Sequence, residues 1–252
     1  MQSGVHDLAS VCRPLTDARV TTRAALRMLG ALLVTVALSS CASKGRQEHF
    51  ELKQLGKSDI DFVVDSNIQE IHAYLYDLTS KLYARNPGEL RKVPGRSLEG
   101  RLDQLFKAPG PLIFDELNRK QATDAILLGL DPAYTGDRVF AVMAGLTDML
   151  RRSYNYQDEY FILTELDQQK LYNSARNIEV LVWRLNHRQG SNGEPWLLTN
   201  DVNQSSENLS FERLFGKMIA LQDSMARITA QRNNRSITMI VQRAATWVFL
   251  PI

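Results

Sequence analysis

The chain has 252 residues, with 30 basic and 28 acidic side chains, 44% hydrophobic residues and two cysteines. Its formal charge of +2 belongs to the first forty residues, where Arg13, Arg19, Arg23 and Arg27 outnumber Asp7 and Asp17; the other 212 residues carry 26 charges of each sign. So even a balance gives no electrostatic case for nucleic acid or another polyanion, and the length suffices for one sizeable core or two small ones.

From Met28 to Leu38 the chain reads MLGALLVTVAL, an uncharged apolar run of 11 residues. A bilayer span needs roughly 20. A short apolar core, with Arg19, Arg23 and Arg27 before it and small residues after it, has instead the layout of a secretory signal. The segment Leu38-Ser39-Ser40-Cys41 resembles the lipobox of bacterial lipoproteins. That resemblance implies cleavage before Cys41, lipidation of its thiol and permanent membrane attachment, since each buried methylene of the acyl chains contributes roughly 0.8 kcal/mol. Ala42 and Ser43 follow the cysteine in place of an aspartate, which implies the outer membrane, facing the periplasm, over the inner one. The expected organisation is a signal peptide over 1–40, a lipidated cysteine and tether over 41–57, and a folded domain over 58–252. Residues 1–19 add nothing such a leader needs, and a start at Val20 would leave one of ordinary length. Cys12 goes with the leader and Cys41 is taken by lipid, so the mature domain is expected to lack a disulfide, a thiol nucleophile and any cysteine-based zinc site.

The tether, ASKGRQEHFELKQLGKSD, is polar and without an apolar period. Beyond it Val64, Ile68, Ile71, Leu75, Leu78 and Leu82 recur at steps of three and four, which predicts a helix started at Ser58 and Asp61 and stopped at Asn86-Pro87-Gly88. Leu98, Leu102 and Leu105 predict a short amphipathic helix between Pro94-Gly95 and Pro109-Gly110-Pro111. A further helix is expected over 115–129, ended by Gly129 and Asp131-Pro132. The stretch 136–151, GDRVFAVMAGLTDMLR, is apolar almost all round, as befits a central helix, with Gly145 admitting a close neighbour. Two more long stripes follow, Leu171, Ala175, Ile178, Val182 and Leu185, then Phe211, Leu214, Met218, Leu221, Met225 and Ile228, the second capped by Ser206 or Ser210. Ile237, Val241, Ala244 and Val248 continue the stepping to the end, with Trp247 and Phe249 beside them. No alternating strand and no fixed-period repeat occurs, so the expectation is all-α: one helical-bundle domain of six to eight helices.

Sites of chemistry are sparse. His49, His72 and His187 lack the i, i+4 spacing of a helical metal site, and neither a phosphate-cradling glycine loop nor a GxSxG elbow is present, so no cofactor and no metal is expected. Two regions read as more than core. One is RRSYNYQDEYF, 151–161, where Arg151, Arg152, Tyr154, Tyr156 and Tyr160 combine the residue types of binding hot spots. The other is the long connection 188–205 carrying Trp196. The alternative for both is that the aromatics tuck inward over the bundle, and the pairs Arg91-Lys92 and Arg151-Arg152 read as solvated faces. The sequence thus favours a lipid-anchored, non-catalytic component that binds an envelope protein. Acids of raised pKa lining a cleft would favour an enzyme acting on cell wall or lipid, and a wide apolar cavity would favour a lipid or small-molecule carrier.

Overall fold

The computed structural model describes residues 59–160, 165–187, 193, 195–200, 209–234, 236–239 and 248–252. The leader, Cys41, the tether with His49, and Ser58 lie outside these residues, as do Ser206, Val241, Ala244 and Trp247. Among the described residues there are seven α-helices and no strand: α1 (Asp59–Arg85), α2 (Pro87–Arg91), α3 (Leu98–Phe106), α4 (Ala122–Gly129), α5 (Arg138–Ser153), α6 (Gln168–His187) and α7 (Ser210–Asn233). None of them is long and apolar enough to cross a membrane.

The stripe expected of α1 is the face it buries: Val64, Ile68, Ile71, Leu75, Leu78 and Leu82 are all inside. Each such side chain contributes roughly 1.5–3 kcal/mol when taken from water, so this one face accounts for much of the drive to pack α1. Asn86 ends the helix and Pro87 opens α2, where its missing N–H is harmless. At the centre lies α5, with every residue but Arg152 buried and with α1, α2, α3, α4 and α6 all packed on it. α4 sits closest. A Cβ at Gly145 would stand 2.5 Å from the carbonyl oxygen of Ala122 and 2.7 Å from the nitrogen of Ile126, so only glycine allows this approach of two backbones.

α6 and α7 form the other close pair. On α6 Leu171, Ala175, Ile178 and Leu185 are buried and Val182 half-buried. On α7 the inner face includes Phe211, Leu214, Met218 and Met225 as expected, but Phe215, Gln222, Ala226 and Thr229 are buried too, while Leu221 and Ile228 are only half-buried.

Three expectations are corrected. Residues 115–129 are not one helix. A single 3-10 turn over Asp115–Leu117 is followed by Asn118 and Arg119 in the left-handed region (φ 53° and 56°), and α4 begins only at Ala122. The break lets the N–H groups of Leu112 and Ala122, on either side of it, reach one buried carboxylate, Asp148 (2.8 and 3.1 Å). Ser210 is the first residue of α7 and not its cap; Leu209 holds the cap position. Finally, the described parts of the terminal stretch, 236–239 and 248–252, are not helical, and Val248 is 61% exposed. Pro251 disfavours the helical region for Leu250, and α6 supplies both segments with hydrogen bonds that a helix would have made internally.

Candidate functional site

Polar side chains collect at both ends of the central helix. At its start, Asp137 caps α5: its Oδ1 accepts the N–H of Phe140 (2.9 Å) and its Oδ2 accepts the Tyr83 hydroxyl (2.8 Å). Arg101 reaches in from α3, fully buried. Its two terminal nitrogens donate to both oxygens of Glu116 (2.6 and 2.9 Å), its Nε lies 3.3 Å from Asp137 Oδ2, and its guanidinium stacks 3.8 Å over the Phe140 ring. Burial pushes the Asp137 carboxyl above the usual range despite these donors. Burial likewise pushes the Tyr83 hydroxyl far up, and that of Tyr134 up to about 12. Glu116, Asp131, Tyr134 and Asp137 border an open cleft of about 520 Å³.

Next along the chain, Arg138 is 3% exposed. It donates to the carbonyls of Gly129 (2.8 Å), Asp131 (2.7 Å) and Pro132 (3.3 Å), which close the end of α4. Trp196 covers its guanidinium at 4.1 Å.

At the other end of α5, Arg151 is buried and donates to the carbonyls of Leu105 (3.0 Å), left open where α3 stops, and of Ala108 (2.9 Å) and Gly110 (3.4 Å) in the turn that follows. Tyr154 is buried with its hydroxyl on Gln222 (2.9 Å), and Gln222 in turn donates to Ser153 (3.1 Å). Tyr160 is buried, its hydroxyl on the Tyr154 carbonyl and its N–H on Asp65 (2.8 Å). Arg152 and Tyr156 bond each other (2.9 Å), and the Tyr156 hydroxyl approaches Asp148 at 3.4 Å. Burial pushes the Asp148 carboxyl up. An open cleft of about 360 Å³ lies above Arg151, bordered by His72, Lys107, Asp158 and Glu159. Burial, helped by the positive Arg151, holds His72 below the usual histidine range, against the opposing pull of Asp158.

The six residues read from the sequence as a partner surface are therefore placed as follows. Tyr154 and Tyr160 lie inside, the inward packing weighed as the alternative for the aromatics; Arg151 lies inside as well, and Arg152, Tyr156 and Trp196 are half-buried. Arg151 is no solvated face, because three unpaired carbonyls needed a donor there. His187 ends α6 stacked on Trp183, with its Nδ1 2.8 Å from the Trp183 carbonyl. The Arg101 cluster was not foreseen. Its only local sign is Asp137 immediately before an apolar helix. Also unforeseen was a row of amides on α6, Gln169, Asn173 and Asn177, whose spacing of four is visible in the sequence once the apolar stripe is set aside. Among the described residues no group of three His, Cys, Asp or Glu side chains is arranged to hold a metal ion.

No family model, curated protein or solved structure matches the chain.

Proposed function

We propose that the protein is a lipid-anchored component of the bacterial envelope, held on the outer membrane through Cys41 and facing the periplasm, whose helical domain binds another envelope protein and performs no chemistry of its own. The observation that carries the non-catalytic reading is the commitment of the buried ionisable groups to internal structure. Asp148 takes two backbone N–H groups, Arg151 and Arg138 three carbonyls each, and Asp137 a helix start, a tyrosine and an arginine. A catalytic acid or base needs a lone pair or proton facing its substrate. The anchor rests on the lipobox-like segment at Leu38-Ser39-Ser40-Cys41.

Growth on labelled palmitate should mark the native protein and leave Cys41→Ala unmarked, with that variant released as a folded, soluble domain. In-cell crosslinking of the lipidated protein should enrich one dominant envelope partner; a preparation that carries none overturns the binding reading.

The enzyme reading keeps one specific support. The 520 Å³ cleft is bordered by Glu116, Asp131 and Asp137, and burial raises the Asp137 carboxyl. Against it stand the 1% exposure of Asp137 and the bidentate hold of Arg101 on Glu116. Hydrolysis of cell-wall or lipid substrates that disappears in Asp137→Asn, with the fold intact, would establish it.

A further inference from the structure

The two ends of α5 treat buried charge differently. Arg101 has Glu116 and Asp137 against it. Arg151 is 7% exposed and donates only to carbonyls, which are neutral. Among the described residues no carboxylate lies within ion-pair distance of it, and its Nε has no acceptor. A buried cation without a counter-charge is costly, and carbonyl dipoles offset only part of that cost. The cleft above Arg151 is bordered by further side chains without partners: those of His72, Asp158 and Glu159 make no hydrogen bond and no ion pair among the described residues. Lys107, at the same cleft, is already held by Asp103 at 2.6 Å.

The signs of these groups are mixed. Asp158 and Glu159 are exposed carboxylates, whereas the Arg151 cation is buried. His72 feels both signs, and burial with Arg151 holds its ring below the usual histidine range. At neutral pH it is therefore uncharged, with one nitrogen a donor and the other an acceptor. The remaining wall is apolar. Ile68 is buried, and Phe106 is half-buried with Tyr76 tilted against it at 5.5 Å. The volume of about 360 Å³ falls within the range of small-molecule sites, roughly 300–1,000 Å³.

We infer that this cleft binds a zwitterion of the amino-acid class, a free amino acid or dipeptide with a large apolar side chain. Its carboxylate supplies the counter-charge that Arg151 lacks, at the buried side where water screens least, and takes the N–H of His72. Its ammonium meets Asp158 and Glu159 on the exposed side, and its side chain lies on Ile68 and Phe106. The mixture of signs decides the class. A simple anion would be repelled by Asp158 and Glu159, and a simple cation would be repelled by Arg151 and leave it unmatched. The inference is independent of the envelope-partner reading above, and either can fail without the other.

The test is a nuclear magnetic resonance titration of the purified full chain, read on the ring signals of His72, with His187 at the end of α6 as internal control. The probes are leucine and leucylleucine, beside N-acetylleucine, which keeps only the carboxylate, and leucine amide, which keeps only the ammonium. The two zwitterions should bind at about 1 mM or tighter, moving His72 and not His187. Each blocked form should bind about tenfold more weakly or worse, the cost of one lost contact to a charged group. Asp158→Asn alters an exposed side chain that makes no hydrogen bond, so helical circular dichroism should be unchanged while leucine binds about tenfold more weakly and N-acetylleucine does not. Zwitterions that leave His72 unmoved at about 10 mM overturn the proposal. N-acetylleucine binding as well as leucine would overturn it in favour of an anion site, and leucine amide binding as well would overturn it in favour of a cation site. Equal leucine binding by the native chain and Asp158→Asn overturns it too, since the ammonium would then lack its assigned partner.

Discussion

The charged cluster at the start of α5 and the amide row on α6 both bury polar side chains, and both tie together segments far apart in sequence. They differ in what breaking them leaves behind. Arg101 is fully buried against Glu116 and Asp137, so losing it strands a buried carboxylate. Asn177 faces the Leu250 peptide, so losing it strands two neutral groups on a segment at the surface that water can satisfy once it moves. A charged tie fixes the architecture, whereas a neutral tie can be made and unmade. The first suits the junction of α1, α3 and α5, which must not move, and the second holds a peripheral segment at a smaller cost of breaking.

The largest test of that contrast is Arg101→Ala. Removing one partner of a buried ion pair costs about 3–5 kcal/mol, which would take much of the stability of an ordinary domain. Urea unfolding should show a midpoint lowered accordingly. A loss under about 1 kcal/mol would mean that solvent reaches Asp137 and that the cluster belongs to the open cleft beside it. The single substitution Asn177→Ala is expected to cost less, about 1–2 kcal/mol for two neutral hydrogen bonds, and to act locally. The Leu250 amide should exchange freely while the α5 core stays protected. If Asn177→Ala destabilises as much as Arg101→Ala, the row is structural and the contrast fails.

Much of this fold was legible in apolar spacing. The α1 stripe, the central position of α5 and the close approach at Gly145 all follow from period and residue size, because one face of a helix must meet one core. What was not legible depends on where backbone groups lack partners. Asp148 was visible as an acid in an apolar helix, but nothing local says that the N–H groups of Leu112 and Ala122 converge on it, so the break inside 115–129 went unseen. Arg151 beside Arg152 reads as a charged pair on a solvated face, since the open carbonyls at the end of α3 and in the turn after it lie more than forty residues away in sequence. The tail was misread for a related reason. Ile237 and Val248 keep helical spacing with the residues between them, but it is α6 that supplies hydrogen bonds to Thr238 and Leu250. Of the candidate surface, the residue types were right for burial in a polar network and gave no sign of which way they faced.

The smallest expected effect is a slope and not a midpoint. Burial raises the Asp137 carboxyl above its unfolded value, so the folded state holds that proton more tightly than the unfolded chain does. The contribution of Asp137 to stability is therefore greatest below the unfolded value of about 3.9. It falls as pH rises through that value to the raised one, and is level above. Other carboxylates titrate in the same range, so the signal is the difference between native protein and Asp137→Asn, a residue that still caps a helix. That difference should shift against the native protein as pH rises across this window. The corresponding difference for Asn177→Ala should stay flat, because nothing in the amide row titrates. A native advantage over Asp137→Asn that grows with pH would mean that Arg101, Tyr83 and the Phe140 N–H outweigh the loss of water around Asp137. The cluster would then stabilise the fold through its charges, and the distinction between the two ties would rest on reversibility alone.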